Sequence, residues 1–158
     1  MSTISAAKPP RRELRYANFD ELLADAERSA AGPVQALGNW TPGQIFEHLA
    51  RSMNRSIDGF EGQAPWIVRW VARTFMKRRL LAGPMKPGFR LPPAAAAVLV
   101  PGSTDCTDGL AALRQAVARL KTETHRAPSP FLGPLTREES DRLHLNHAAL
   151  HMSFLVPQ

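Results

Sequence analysis

Only one cysteine and one tyrosine occur among the 158 residues. With Cys106 alone, an intramolecular disulfide and any multi-cysteine zinc cluster are excluded. Long apolar runs are also missing, and none approaches the ~20 residues of a membrane-spanning helix. Acidic residues are absent between Glu61 and Asp105, although Arg69, Arg73, Lys77, Arg78, Arg79, Lys86 and Arg90 fall within that stretch. With a net charge of +6, such a cationic run is either a solvated basic face or an attractor for polyanions, an anionic membrane surface or an acidic small molecule. There is no internal repeat, and no low-complexity tract beyond "PPAAAA".

What remains is an ordinary globular composition, 44% hydrophobic and 22% charged, in a chain long enough for one core. A single domain over residues 1–158 is expected, with residues 1–15 as an extended arm. The opening "MSTISAAKPPRRELRY" has an Arg pair but no apolar segment after it, so a cleaved signal is not expected and a cytoplasmic location is.

Helix signals recur along the chain. Asn18 caps "NFDELLADAERSAA" with Glu21 completing a capping box, Phe19, Leu22, Leu23 and Ala26 forming one stripe, and Gly32-Pro33 stopping it. Thr41, Pro42 and Gln44 start a second helix whose buried face is Ile45, Leu49, Met53 and Ile57, closed by Gly59. A third stretch, "PWIVRWVARTFMKRRLLA", is expected to turn Trp66, Val71, Phe75 and Leu80 inward and its basic residues outward. From Gly83 to Asp108 runs a long Pro-rich connection, with "AAVLV" read as extended; long ordered connections often line or cover sites. A fourth helix spans Asp108 to Thr122 on Leu110, Leu113, Val117 and Leu120. "APSPFLGP" breaks the chain again, and a last helix follows Thr136 and Glu139 almost to the end. No segment competes as a strand. The fold class is all-α, a helical bundle with an additional helical stretch and a long Pro-rich connection.

His147 and His151 lie four apart on the last helix, about 40° around the axis and about 6 Å along it, so both rings leave one face. Two imidazoles so placed can share one metal ion. Alone, the spacing is a weak signal. His48 adds to it, because it lies on the buried side of the second helix beside Ile45 and Leu49. Buried neutral imidazoles packed together need partners for every nitrogen, and a divalent ion satisfies all three at once. His144 leaves an alternative open: it could pair with His147 one turn earlier, or supply a hydrogen bond behind the ligands. His125 is a loop residue.

The runs "NWTPGQIFEHLA" and "HLNHAALHMSFL" resemble the DinB-like superfamily, in which W-[ST]-x-x-Q-x-x-x-H on the second helix accompanies H-x-x-x-H on the last. The chain is most similar to a branch of unknown function ending H-x-x-H-H-x-S-F-L, and departs from it at Leu150, where a second histidine is common. The likeness covers nearly the whole chain. It implies a DinB-like four-helix bundle, a metal site of His48, His147 and His151 holding zinc, nickel or iron, and a homodimer. Some relatives are thiol transferases using a low-molecular-weight thiol.

Three nitrogen ligands leave a coordination position open, as in catalytic rather than structural sites. An ion there would activate water or a thiol; in a transferase the thiolate would attack an electrophilic carbon of a small-molecule substrate. Arg69, Arg73 and Arg78 could hold the carboxylates of the thiol. No general base stands out. Glu47 points about 100° away from His48. Gln44 faces the same side as His48 but is also a capping-box partner for Thr41. Trp40 reads as a packing staple, and Cys106 as an inert loop thiol. The alternatives to a metal-dependent transferase or hydrolase-like enzyme are a non-catalytic metal-binding stress-response or interaction module, and a basic protein of nucleic-acid or membrane surfaces. No nucleic-acid module is recognisable, which ranks the last reading third.

Overall fold

The computed structural model describes residues 10–158. In chain order it contains α1 (Phe19–Ala31), β1 (Val34–Ala36), α2 (Pro42–Asp58), α3 (Trp66–Val71), a π-helical turn (Ala72–Met76), α4 (Lys77–Ala82), α5 (Pro93–Leu99), α6 (Cys106–Thr122), α7 (Arg137–Met152) and β2 (Leu155–Pro157). The architecture is mostly helical, as composition and periodicity imply.

Capping chemistry sets the helix starts. Asn18 accepts a hydrogen bond from the Glu21 N–H, but the Glu21 carboxylate reaches the N–H of Ala17 rather than that of the cap. Thr41 with Gln44 and Thr136 with Glu139 form complete capping boxes, satisfying backbone donors that the first turn leaves without partners. At the far end of α2, Gly59 takes φ +93°, a backbone conformation open to glycine, and its N–H bonds back to the Arg55 carbonyl.

The apolar stripes of α1, α2, α6 and α7 meet in one core. Phe19, Leu22 and Ala26 face Ile45, Leu49, Met53 and Ile57, with Leu110, Leu113, Val117 and Leu120 from α6 and Leu145, Ala148 and Met152 from α7. Each fully buried leucine there contributes about 1.5–3 kcal/mol relative to exposure. α2 packs most extensively on α6. Two glycines permit it: a Cβ built on Gly109 would stand 2.3 Å from the Gly43 carbonyl oxygen, and one on Gly43 would stand 2.3 Å from the Thr104 carbonyl oxygen.

Residues 1–9 of the expected arm lie outside the described residues. Residues 10–15 are without regular structure, and the arm is fastened to the helices. The Arg12 N–H donates to the Ser153 carbonyl, while its guanidinium grips both Asp25 oxygens at 2.9 and 3.0 Å and also donates to the Met152 carbonyl. The Tyr16 hydroxyl donates to the same carboxylate at 2.5 Å.

Four expectations are corrected. Trp66, Val71 and Phe75 do not face inward: they are 70%, 42% and 69% exposed, Leu80 is half-buried, and Ala72 is the buried residue of this stretch. The stretch lies against the body along a narrow line instead of contributing a core face. "AAVLV" is mainly the end of α5, where Pro93 at the first turn and four alanines favour helix over an extended chain. The fourth helix begins at Cys106 after the N-cap Asp105, so Cys106 is a half-buried helical residue rather than a loop residue. Strands do occur. β1 and β2 pair antiparallel, with Val34 opposite Pro157 and Ala36 opposite Leu155. Three-residue strands carry too little alternation to register in sequence. Their pairing ties the segment before α2 to the end of α7.

Candidate metal centre

α2 and α7 run antiparallel, and this brings His48 opposite His147 and His151. The candidate ligand nitrogens of the three lie within 4.8 Å of one another, and among the described residues no carboxylate or cysteine joins them. His48 is 2% exposed, while His147 and His151 are half-buried. The His48 and His147 Nε2 atoms stand 3.2 Å apart. The His151 ring centroid lies 4.6 Å from both of the other two.

The second nitrogen of His48 explains its orientation. Nδ1 lies 2.9 Å from the carbonyl oxygen of Leu99, at the end of α5. A carbonyl can only accept, so Nδ1 carries the proton and Nε2 presents its lone pair to the cluster. This is the arrangement in which a histidine ligand is held by a partner behind it. The long Pro-rich connection therefore reaches the site, through a backbone oxygen that sequence reading cannot single out.

Burial pushes all three imidazoles below their ordinary range. For His48 the bond to Leu99 opposes burial and the charge of Arg51 adds to it. His147 lies well below, through burial and then the neighbouring histidines. His151 falls to about 3, through burial and then His48. All three are thus neutral at physiological pH and keep the lone pairs that a cation requires.

Trp40 is more than a staple. Its ring stacks on His151 with planes 14° apart and centroids at 5.5 Å, and tilts against His48 at 4.8 Å. The turn that places it is held by the Leu37 N–H, which donates to the Phe154 carbonyl at 2.9 Å, just beyond β1 and β2. The indole roofs two of the three rings.

His144 is directed elsewhere. It is 7% exposed, and its Nε2 lies 2.8 Å from the Ser56 Oγ. That hydroxyl already donates to the Met53 carbonyl at 2.7 Å, so His144 is the donor to Ser56. Burial, then the charge of Arg126, lowers its pKa to about 4. The His144–His147 alternative is therefore not the grouping the fold assembles. Gln44 likewise serves the cap, accepting from the Thr41 N–H and donating to the Gly102 carbonyl. Glu47 pairs with Arg51 on the helix surface at 2.8 Å. The Cys106 thiol is raised by burial, in keeping with an inert group. His125 is in the loop after α6.

Of the candidate anion-binding arginines, Arg69 donates to Gln63, Arg73 lies beside Gly133 and Arg78 is exposed on α4. No hydrogen bond joins them to the histidines. One further residue was not anticipated. Buried Asn146, next to His147, donates to the carbonyls of Leu80 and Leu81 at 2.8 and 2.9 Å, fastening the end of α4 to the helix that carries two of the histidines.

Two surface cavities of about 410 and 390 Å³ lie near the site without including it. The first is lined by residues at the starts of α2 and α6, including Gln44 and Cys106; the second is lined by Arg51, Asn54, Arg55, Ala97 and Val98.

Comparison with known proteins gives one result. The sequence profile of a family described as "Protein of unknown function (DUF1569)" matches residues 8–158. No curated protein and no solved structure matches the chain.

Proposed function

The chain belongs to the DUF1569 family, and we propose that it is a metal-dependent enzyme whose ion is held by His48, His147 and His151. The observation that carries this reading is the convergence of three neutral imidazoles from two helices, one of them oriented from behind by the Leu99 carbonyl.

The donor set fits a divalent ion of the zinc, nickel or iron type. The His48–His147 Nε2 separation of 3.2 Å is close to the ~3.3 Å edge of a tetrahedron with ~2.05 Å metal–nitrogen bonds. When bound, such an ion supplies Lewis acidity, bringing a water or a small thiol toward its anionic form near neutral pH. The chain's own part is orientation and exclusion. Leu99 fixes the His48 tautomer, Trp40 screens His48 and His151 from water, and buried Asn146 anchors α4 beside His147. Among the described residues no side-chain carboxylate joins the cluster as a general base. The reaction class we favour is substitution at an electrophilic carbon, in which a low-molecular-weight thiol held at the three histidines would lose its proton, form a sulfur–carbon bond and displace a leaving group that departs with the electron pair of the broken bond. On this reading α1, α2, α6 and α7 form a DinB-like four-helix bundle, and the protein works as a cytoplasmic homodimer.

A second reading has its own support. Trp40 covers two of the three rings, as suits a metal-binding module without turnover.

Elemental analysis of tag-free protein tests the site, and a screen of thiols with electrophilic acceptors tests the activity. Near-stoichiometric metal that is lost in His147→Ala, together with metal-dependent thiol consumption, is the expected result. Metal without turnover would favour the module. No metal after reconstitution with zinc, nickel and iron salts would make the histidines a polar core and sink both readings.

A further inference from the structure

The segment Trp66–Ala82 turns its large apolar side chains away from the body of the protein. Trp66 is 70% exposed, Ile67 55%, Trp70 58% and Phe75 69%, with Val71 and Met76 also exposed. Scattered exposed hydrophobics need no explanation, but a contiguous patch does. Trp66, Ile67, Trp70 and Val71 occupy positions i, i+1, i+4 and i+5, an arc of roughly 140° on one helix face. The π-helical turn extends it. Its i→i+5 repeat brings Phe75 back onto the same arc, where its ring meets that of Trp70 edge to face at 6.4 Å.

This face is held out by contacts on its other side. Ala72 is buried, Lys77 pairs with Glu139 at 2.7 Å, Asn146 binds the carbonyls of Leu80 and Leu81, and the Ala64 N–H donates to the Pro130 carbonyl. The apolar arc is therefore a built surface of the described protein.

Charge selects what covers it. From residue 62 to residue 104 there is no carboxylate, while Arg73, Arg78, Arg79, Lys86 and Arg90 are exposed along or just beyond the segment. A second copy docked face to face would set these cations against their own counterparts. A nucleic acid would satisfy the cations and stack on the aromatic rings, but would leave Ile67, Val71 and Met76 without an apolar partner. An anionic bilayer surface takes both classes at once, with aromatic and aliphatic groups at the headgroup–acyl boundary and cations among the phosphates.

We propose that the Trp66–Ala82 segment docks this chain on anionic lipid bilayers, with the Trp66–Trp70–Phe75 face entering the interface and the exposed Arg78 and Arg79 contacting lipid phosphates. The 17-residue segment, about 26 Å long at 1.5 Å per residue, lies in the plane of the surface. No helix among the described residues is long and apolar enough to cross a membrane. Docking does not depend on the histidine cluster, so His147→Ala leaves it intact even where metal is lost.

The test mixes the full chain with unilamellar vesicles of phosphatidylcholine, alone or doped with phosphatidylglycerol, and reads co-sedimentation and tryptophan emission. Anionic vesicles are expected to bind at least about tenfold more tightly than neutral ones, with a blue shift, and to lose hold as salt rises. Trp70→Ser with Phe75→Ser should reduce binding by more than about tenfold at unchanged helicity, since both side chains are exposed. Trp66→Ser serves the same purpose should that pair misfold. Arg78→Gln with Arg79→Gln should reduce binding by about 25-fold, at roughly fivefold per cation. Three results would overturn the proposal. One is no binding to anionic vesicles at low salt. Another is binding indifferent to the apolar substitutions, with duplex DNA bound more tightly than vesicles. The last is a concentration-dependent dimer that the Trp70/Phe75 substitutions abolish, in a protein that ignores lipid.

Discussion

His48 and His147, on different helices, bring their Nε2 atoms to 3.2 Å of one another. Because the Nδ1 proton of His48 is committed to Leu99, that pair is either an N–H···N hydrogen bond or two lone pairs facing one cation. His144, on the same helix as His147, has its own partner in Ser56. Two substitutions should therefore separate cleanly. His48→Ala is expected to abolish metal retention, measured by elemental analysis. His144→Ala should keep the metal and lower stability to chemical denaturation by about 1–3 kcal/mol, through the lost Ser56 bond. Metal loss in the His144 variant, with metal kept in the His48 variant, would reverse the ligand assignment.

Trp40 touches His48 and His151 with its ring and offers no ligand atom, so its contribution to the site is shielding and orientation. Trp40→Ala is expected to weaken metal affinity by on the order of tenfold, the lower end of what residues supporting metal ligands contribute. Trp40→Phe should recover most of it, because a ring remains over His151. Competition with a chromophoric chelator gives both affinities. Equal affinity in all three proteins would reduce Trp40 to a packing residue.

The helices that build the core were legible because their signals are local: the caps Asn18, Thr41 and Thr136, the stop at Gly59, and stripes such as Ile45, Leu49, Met53 and Ile57. That His48 would meet histidines of the last helix was legible from inward placement on two helices of one small fold, whereas the choice of His151 over His144 beside His147 came only from the family resemblance. What escaped depends on contacts between distant segments. The Leu99 carbonyl on His48 is a backbone group, the Trp40 roof needs the turn fixed beside β1 and β2, and Asn146 is buried only because α4 ends against α7. Periodicity placed Trp66, Val71 and Phe75 inside because it assumes an amphipathic helix faces its own core, whereas here the apolar arc faces outward.

Asp25 gives the fold a pH dependence of definite sign. It is 5% exposed. Burial by itself would raise its pKa, but hydrogen bonds from Arg12 and Tyr16 and the charges of Arg12 and Arg28 outweigh burial, and the net shift is downward. The folded state thus prefers the ionised carboxylate. Its contribution is fully present above the unfolded-state pKa of about 4, and is lost as pH falls through the lower folded-state value. Asp25→Asn should destabilise the protein by about 3 kcal/mol at pH 7, since it leaves Arg12 without its counter-charge. The variant should also show a shallower loss of stability below pH ~4 than the parent. Thermal unfolding at a series of pH values checks both; a parallel acid limb in the variant would assign the dependence to other groups.

Gly109 sets how closely α6 approaches α2, the helix that carries His48. A Cβ there would sit 2.3 Å from the Gly43 carbonyl oxygen and 3.0 Å from its Cα, all of it backbone. No rotamer change can relieve such a clash, so Gly109→Ala must part the two helices. The neighbouring Leu110 and Leu113 pack in the same core as Leu49 and Met53, and a shift of α6 therefore loosens contacts along α2. The expected cost is about 1–3 kcal/mol, of the kind that overpacking causes, even though alanine is the better helix former by about 1 kcal/mol. Gly102→Ala, at a loop position where an added Cβ meets nothing within 4 Å, is the control and should stay within about 0.5 kcal/mol of the parent. Denaturant titration of the two variants measures the difference. If Gly109→Ala were as stable as the Gly102 control, the close approach of α2 and α6 would not be a requirement of the fold, and the placement of His48 would have to rest on α7 and Leu99 alone.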